Sequence, residues 1–149
     1  MPGRGYADAV LRELEARAPE LEGRRLASIF FGGGTPSLWE AEELGRVREA
    51  VTRAFSAAEP DLEITVECNP TSLDREKARA LAKAGVNRLS IGVQSLSDER
   101  LRFLGRLHDR RRAIAALEAA RESFERVSAD FIFGLPGSAP RISSTRSTP

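Results

Sequence analysis

A chain of 149 residues, 41% hydrophobic and 30% charged, is the size of one compact domain and long enough to bury a substantial core. Its 23 Lys and Arg against 22 Asp and Glu leave no basic surplus of the kind that holds nucleic acid or anionic membrane, so neither is an expected partner. One cysteine and one histidine exclude a disulfide framework or a zinc site built within the chain. The start, "MPGRGYADAVLREL", carries no apolar h-region, which reads as a cytoplasmic protein.

From that start, Ala7, Val10, Leu11, Leu14, Ala18 and Leu21 recur at spacings of three and four and predict a first helix with one buried stripe. "LASIFF" (Leu26–Phe31), unbroken and ended by glycines, predicts a strand covered on both faces. Ser37 followed by Glu40 has the capping-box pattern, with Leu44, Val47, Val51 and Phe55 as the inner face of a second helix and Trp39 packed at its start. "LEITVE" (Leu62–Glu67) is the next strand. Asp74–Ala84 is a third helix on Ala78, Leu81 and Ala82, stopped by Gly85. "RLSIGVQ" (Arg88–Gln94) predicts a strand and Ser97–Leu107 a short helix. "HDRRRA" opens a longer helix on Ile114, Leu117, Ala120 and Phe124, and "VSADFIFG" (Val127–Gly134) is the last strand.

Alternating strands and helices in the order αβαβαβααβ imply an α/β fold with a parallel sheet and right-handed crossovers, either doubly wound or a piece of a β/α barrel. Both architectures place their chemistry at the carboxyl ends of strands. Side-chain parity adds a second constraint. Thr65 and Glu67 oppose Ile64 and Val66; Ser90, Gly92 and Gln94 oppose Leu89, Ile91 and Val93; Ser128 and Asp130 oppose Ala129, Phe131 and Phe133. Each strand therefore has one greasy face, to be covered by helices, and one polar face. Burying unpaired polar groups costs roughly 1 to 3 kcal/mol each, so the polar face is expected to line a cavity.

The glycine run in "FFGGGTPSLW" stands at the end of such a strand. Without Cβ atoms, Gly32, Gly33 and Gly34 admit positive φ and close approach of a ligand to the backbone, while Thr35 adds a hydroxyl and Pro36 stiffens the exit. The run lacks a P-loop lysine and the G-x-G-x-x-G spacing, which removes both nucleotide-binding readings. By itself it is equally a plain strand-to-helix turn.

Four stretches, "FFGGGTPSL", "ITVECNPTSL", "NRLSIGVQSLSDERLRFLGRLHD" and "ADFIFGLPG", together resemble the oxygen-independent coproporphyrinogen III oxidase family of radical S-adenosylmethionine proteins. The wording "VECNP", "GVQS" and "LGRLHD" is most similar to its heme chaperone HemW branch. The resemblance runs from about Tyr6 to Gly137 and implies a partial β/α barrel of four parallel strands with outer helices, around S-adenosylmethionine and a [4Fe-4S] cluster. It implies cofactor-binding roles for Gly33, Gly34, Thr35, Glu67, Gln94, Arg106 and Asp130. Their chemistry is suitable: carboxylates accept from amino groups and hydroxyls, an amide does both, and a guanidinium forks onto a carboxylate. The residues alone leave Arg106 readable as a surface helix residue, Glu67 as a rim ion-pair partner and Asp130 as a satisfied interior carboxylate.

The chain also departs from the family pattern. A four-iron cluster open to the cofactor takes three thiolates from a C-x-x-x-C-x-x-C loop, and this chain has only Cys68, expected to be a small apolar residue beside the site. Its first helix is similar to the family helix that follows the loop, which implies a truncated product, catalytically inactive alone, yielding neither cluster absorbance nor 5′-deoxyadenosine. "SAPRISSTRSTP" has no acidic residue and no apolar period, so residues 1–137 are expected to form the core domain and 138–149 a disordered tail. Outer strands with unpaired edges invite self-association. His108, between a leucine and an aspartate, is expected to be solvated rather than a heme or iron ligand. Three readings of function follow: the S-adenosylmethionine-binding core of a porphyrin- or heme-related protein, a cluster-free module that pairs with another chain or carries heme, and an inert fragment.

Overall fold

The computed structural model describes residues 2–135, and the expected tail at 138–149 lies outside them. Helix α1 (Pro2–Arg17) leads through a 3-10 turn (Ala18–Leu21) to strand β1 (Arg25–Phe31). After a 3-10 turn at Pro36–Leu38 come α2 (Ala41–Ala54), β2 (Ala57–Cys68), α3 (Arg75–Lys83) and β3 (Arg88–Gln94). Helices α4 (Asp98–Phe103) and α5 (Arg110–Arg121) precede β4 (Arg126–Phe131).

The four strands are parallel and lie in the order β1-β2-β3-β4. Doubly wound sheets reverse direction at a switch point, whereas a barrel adds each strand beside the last. The unreversed order is that of a barrel segment, with β1 and β4 as its edges.

Helices α2, α3 and α5 cover the greasy face. Leu44, Ala78, Leu81, Ala113, Ala116 and Ala120 form one core with Ile29, Ile64, Val66, Leu89, Ile91 and Val93. Side chains paired in register across a parallel sheet share a face, and Glu67, Ser90 and Ser128 are such a row on the side opposite the core. A polar ladder fills the amino-terminal half of that face. Arg88 donates to Glu63 at 3.2 Å and to Ser128 Oγ at 3.3 Å, and Arg126 donates to the other oxygen of Glu63.

Local rules account for the element ends. Asp74, Ser97 and Asp109 each cap a helix by accepting from the amide three residues on. Helices α3 and α4 both finish in the Schellman arrangement. Gly85 (φ +89°) donates to Ala82 O while Val86 donates to Leu81 O, and Gly105 (φ +64°) donates to Arg102 O while Arg106 donates to Leu101 O.

Several expectations are corrected. Ser37 does not cap α2; Glu40 is the cap residue and makes no side-chain cap bond. Ser37 is instead buried, its hydroxyl 2.6 Å from that of Ser72, so a partner distant in sequence outcompetes the local one. Strand β1 is covered on one face only: Leu26 and Ile29 are buried but Phe30 is 58% exposed, because it is in register with Thr65 on the face without helices. In α5, Ile114 points outward and the buried stripe is Ala113, Ala116 and Ala120; small residues there let the helix approach the sheet. Strand β4 ends at Phe131, short of Gly134. Trp39 is partly buried against the core, and the ring of Tyr6 from α1 meets it edge-on at 4.9 Å.

Candidate functional site

At the carboxyl ends of the strands, on the polar face, the chain encloses a cleft of about 150 Å³ lined by Gly34, Thr35, Glu67, Gln94, Arg106 and Asp130, with Ser90 and Gly92 on its floor. Six of the seven residues singled out from the sequence thus meet in one place, contributed by five separate segments of the chain. The seventh, Gly33, is not a lining residue, but its amide donates to Glu67 Oε2 at 3.2 Å.

The glycine turn after β1 uses the backbone freedom expected of it. Gly33 and Gly34 have φ of +80° and +60°, a region in which any L side chain is strained. At Gly32 the reason is steric: a Cβ would lie 2.5 Å from the Phe30 ring and 3.4 Å from Glu67 Oε2. The turn is therefore folded tightly against the carboxylate that closes β2.

Gln94 is the one non-glycine residue with positive φ (+63°) among the described residues. Its side chain folds back over Gly92, where a Cβ would stand 2.9 Å from the amide nitrogen. The strand register also shifts between Ile91 and Gln94, an irregularity at the place where β3 meets the cleft, beyond which Gln94 is still paired with Phe131 and accepts from Ile132 N at 3.0 Å.

Asp130 accepts from Ser90 Oγ at 2.7 Å, and Ser90 in turn is 3.2 Å from Ser128 Oγ. Among the described residues neither Glu67 nor Asp130 is in an ion pair, so Glu67 is not a rim salt-bridge partner. Arg106 is not a surface helix residue: it follows the Schellman turn of α4, and its buried Nε has no hydrogen-bond partner among the described residues. Two carboxylates and one guanidinium leave the cleft one negative charge in excess. The guanidinium and the two carboxylates suit a ligand carrying both a carboxylate and excess positive charge.

The sequence pattern placed Ser90 and Gly92 on the polar face without marking them as site residues. Their signal was parity alone. His108 is not solvated, contrary to expectation. It is 3% exposed, with Nε2 3.0 Å from the Val93 carbonyl oxygen, and is neither solvated nor free to bind heme iron through that nitrogen.

The residues present do not fit a four-iron cluster. Cys68 is buried, and desolvation pushes its thiol up from 9.0 to about 12 against weaker opposing effects of Ser37 and Lys77. Its Sγ faces Val66 O at 3.8 Å on the core side of β2. Among the described residues no group of three or more His, Cys, Asp or Glu side chains could hold a metal ion, and no helix is long and apolar enough to cross a membrane.

The Radical SAM superfamily model matches residues 2–141. Radical S-adenosyl methionine domain-containing protein 1, mitochondrial, of Bos taurus is 47% identical over 139 residues, covering 89% of this chain and 31% of that protein. Heme chaperone HemW of Bacillus subtilis is 38% identical over 133 residues, covering 89% of this chain and 35% of that protein. Among solved structures, coproporphyrinogen III oxidase (HemN) of Escherichia coli, a radical SAM enzyme, superposes with a TM-score of 0.78 at 33% identity over 92% of this chain and 32% of that one. The chain spans about a third of the length of these relatives.

Proposed function

The chain belongs to the radical SAM superfamily, and from that membership we propose that it forms the S-adenosylmethionine-binding part of a coproporphyrinogen oxidase-like protein of the heme chaperone kind. The observation that carries this reading is Arg106, which lines a cleft shared with the carboxylates of Glu67 and Asp130 and makes no ion pair with either among the described residues. S-adenosylmethionine bears a sulfonium, an ammonium and a carboxylate, so its single net positive charge complements the negative excess of the cleft.

When bound, S-adenosylmethionine supplies a sulfonium whose carbon–sulfur bond is open to reductive cleavage. The residues of this chain bind and orient it. Arg106 donates to an anionic oxygen, Glu67 and Asp130 accept from ammonium or hydroxyl groups, and Gln94 does either. Gly33, Gly34 and Thr35 keep side-chain bulk out of the path to the backbone. The chain's single cysteine cannot supply the three thiolates that hold a four-iron cluster, so no electron-transfer step is assigned to these residues. Association with heme or porphyrin, and a cytoplasmic location, belong to the same proposal.

Isothermal calorimetry of the folded chain with S-adenosylmethionine tests the reading. Saturable binding that Glu67→Ala weakens at least about ten-fold is expected, the equivalent of one lost hydrogen bond to a charged group. A folded chain that takes up no S-adenosylmethionine overturns it.

A further inference from the structure

The strained turn at Gln94 has a partner outside the cleft. Ser95 N donates back to Val93 O at 2.7 Å, closing a γ-turn around Gln94 with φ of +63°, the uncommon, strained form of that turn. The same carbonyl oxygen lies 3.0 Å from Nε2 of His108, which is 3% exposed. A carbonyl can only accept, so Nε2 carries the proton and donates. The second nitrogen, Nδ1, is buried without a partner among the described residues. A buried imidazole with one orphaned nitrogen is a poor filler of core space, which an apolar side chain would fill without that penalty. Its one polar contact is therefore the reason for its presence. Two residues before His108 stands Arg106, so the same anchor holds the α4–α5 connection against the end of β3.

We propose that His108 is a positioning residue that locks the turn at Gln94, and with it the placement of both Gln94 and Arg106 on the cleft, before any ligand arrives. The consequence for ligand affinity rests on the reading of the cleft as an S-adenosylmethionine site; the role in the turn does not. Strained backbone persists where surrounding structure over-determines it and is common at binding sites. Here the over-determination is a second hydrogen bond on one carbonyl.

Hydrogen exchange at the Ser95 amide, read in the ligand-free chain, tests the lock directly. In His108→Leu, which keeps apolar bulk but removes the donor, that amide is expected to exchange about ten-fold faster or more. His108→Gln, which carries an N–H at comparable reach, restores near-wild-type exchange. Calorimetry on the same proteins is expected to show S-adenosylmethionine binding weakened in His108→Leu and recovered in His108→Gln. Normal Ser95 protection in a wild-type chain that binds no S-adenosylmethionine removes the reading of the cleft and leaves the lock standing. Unchanged Ser95 exchange in His108→Leu overturns the lock, whatever the chain binds. If His108→Leu does not fold, the added change Gln94→Gly relieves the strain the histidine holds, and the double variant folds; a double variant that stays unfolded also overturns the proposal.

Discussion

The amide of Gly33 donates to Glu67 Oε2 at 3.2 Å, across 34 residues of chain. The glycine turn after β1 and the carboxylate at the end of β2 are thus one unit. Two roles of Glu67 separate on substitution. Glu67→Gln keeps an acceptor for Gly33 and removes the charge, whereas Glu67→Ala removes both. Calorimetry is expected to show weaker S-adenosylmethionine binding for both variants, with Glu67→Ala the weaker. Thermal stability changes by less than about 1 kcal/mol, because the site is partly open to water.

Gly92 leaves the space into which Gln94 folds, with a Cβ there falling 2.9 Å from the Gln94 amide nitrogen and 3.8 Å from Cys68 O. Gly92→Ala is expected to push that amide aside at little cost in stability, since the group displaced is the end of a flexible side chain. Affinity for S-adenosylmethionine falls. In a Gln94→Ala background the same change costs nothing further, a coupling that a double-mutant cycle measures directly.

Gly85 ends α3 with φ of +89°. Gly85→Ala places a Cβ in the left-handed region at a cost of about 1 to 2 kcal/mol. The Cβ would also fall 2.9 Å from Arg48 Nε, which can swing away. Urea denaturation is expected to show that loss while S-adenosylmethionine binding, at the opposite ends of the strands, is unchanged.

Burial holds the Cys68 thiol in its neutral form, pushed up from 9.0 to about 12. The unfolded chain therefore releases this proton at lower pH than the folded one. Stability from this group is complete below about pH 9 and is lost as pH rises toward 12, with a slope approaching about 1.4 kcal/mol per pH unit. Stability measured by denaturation between pH 8 and 11 is expected to fall in wild type, and Cys68→Ala removes this component of the slope. The native thiol is also expected to resist thiol reagents near neutral pH, since the thiolate is the reacting form.

Periodicity carried most of the fold. Helical stripes such as Leu44 with Val47, and alternation such as Leu89, Ile91 and Val93 against Ser90, Gly92 and Gln94, are local, so they survive in the sequence as spacing. Strand β3 has the bounds read from that spacing, Arg88–Gln94. The polar parity of the strands also foretold a face without helices, and the positions of Glu67 and Gln94 at strand ends foretold where their side chains would be found.

Pairing between distant residues was beyond any local pattern. Ser37 looked like a helix cap because Glu40 is three residues away, yet Ser72 takes its hydroxyl. Asp109 beside it suggests a solvated His108, yet the ring is buried with Nε2 against the carbonyl of Val93. The choice between a doubly wound sheet and a barrel segment rested on the order of strands, which spacing along the chain leaves open. The sequence by itself thus determined which segments become helix or strand and which strand face is polar, because those follow from a repeat of two or 3.6 residues. Only the tertiary structure decided how Glu67, Gln94, Arg106 and Asp130 share one cleft and what holds Gln94 in its strained turn. Those depend on hydrogen bonds and register between segments that meet only once the sheet has formed.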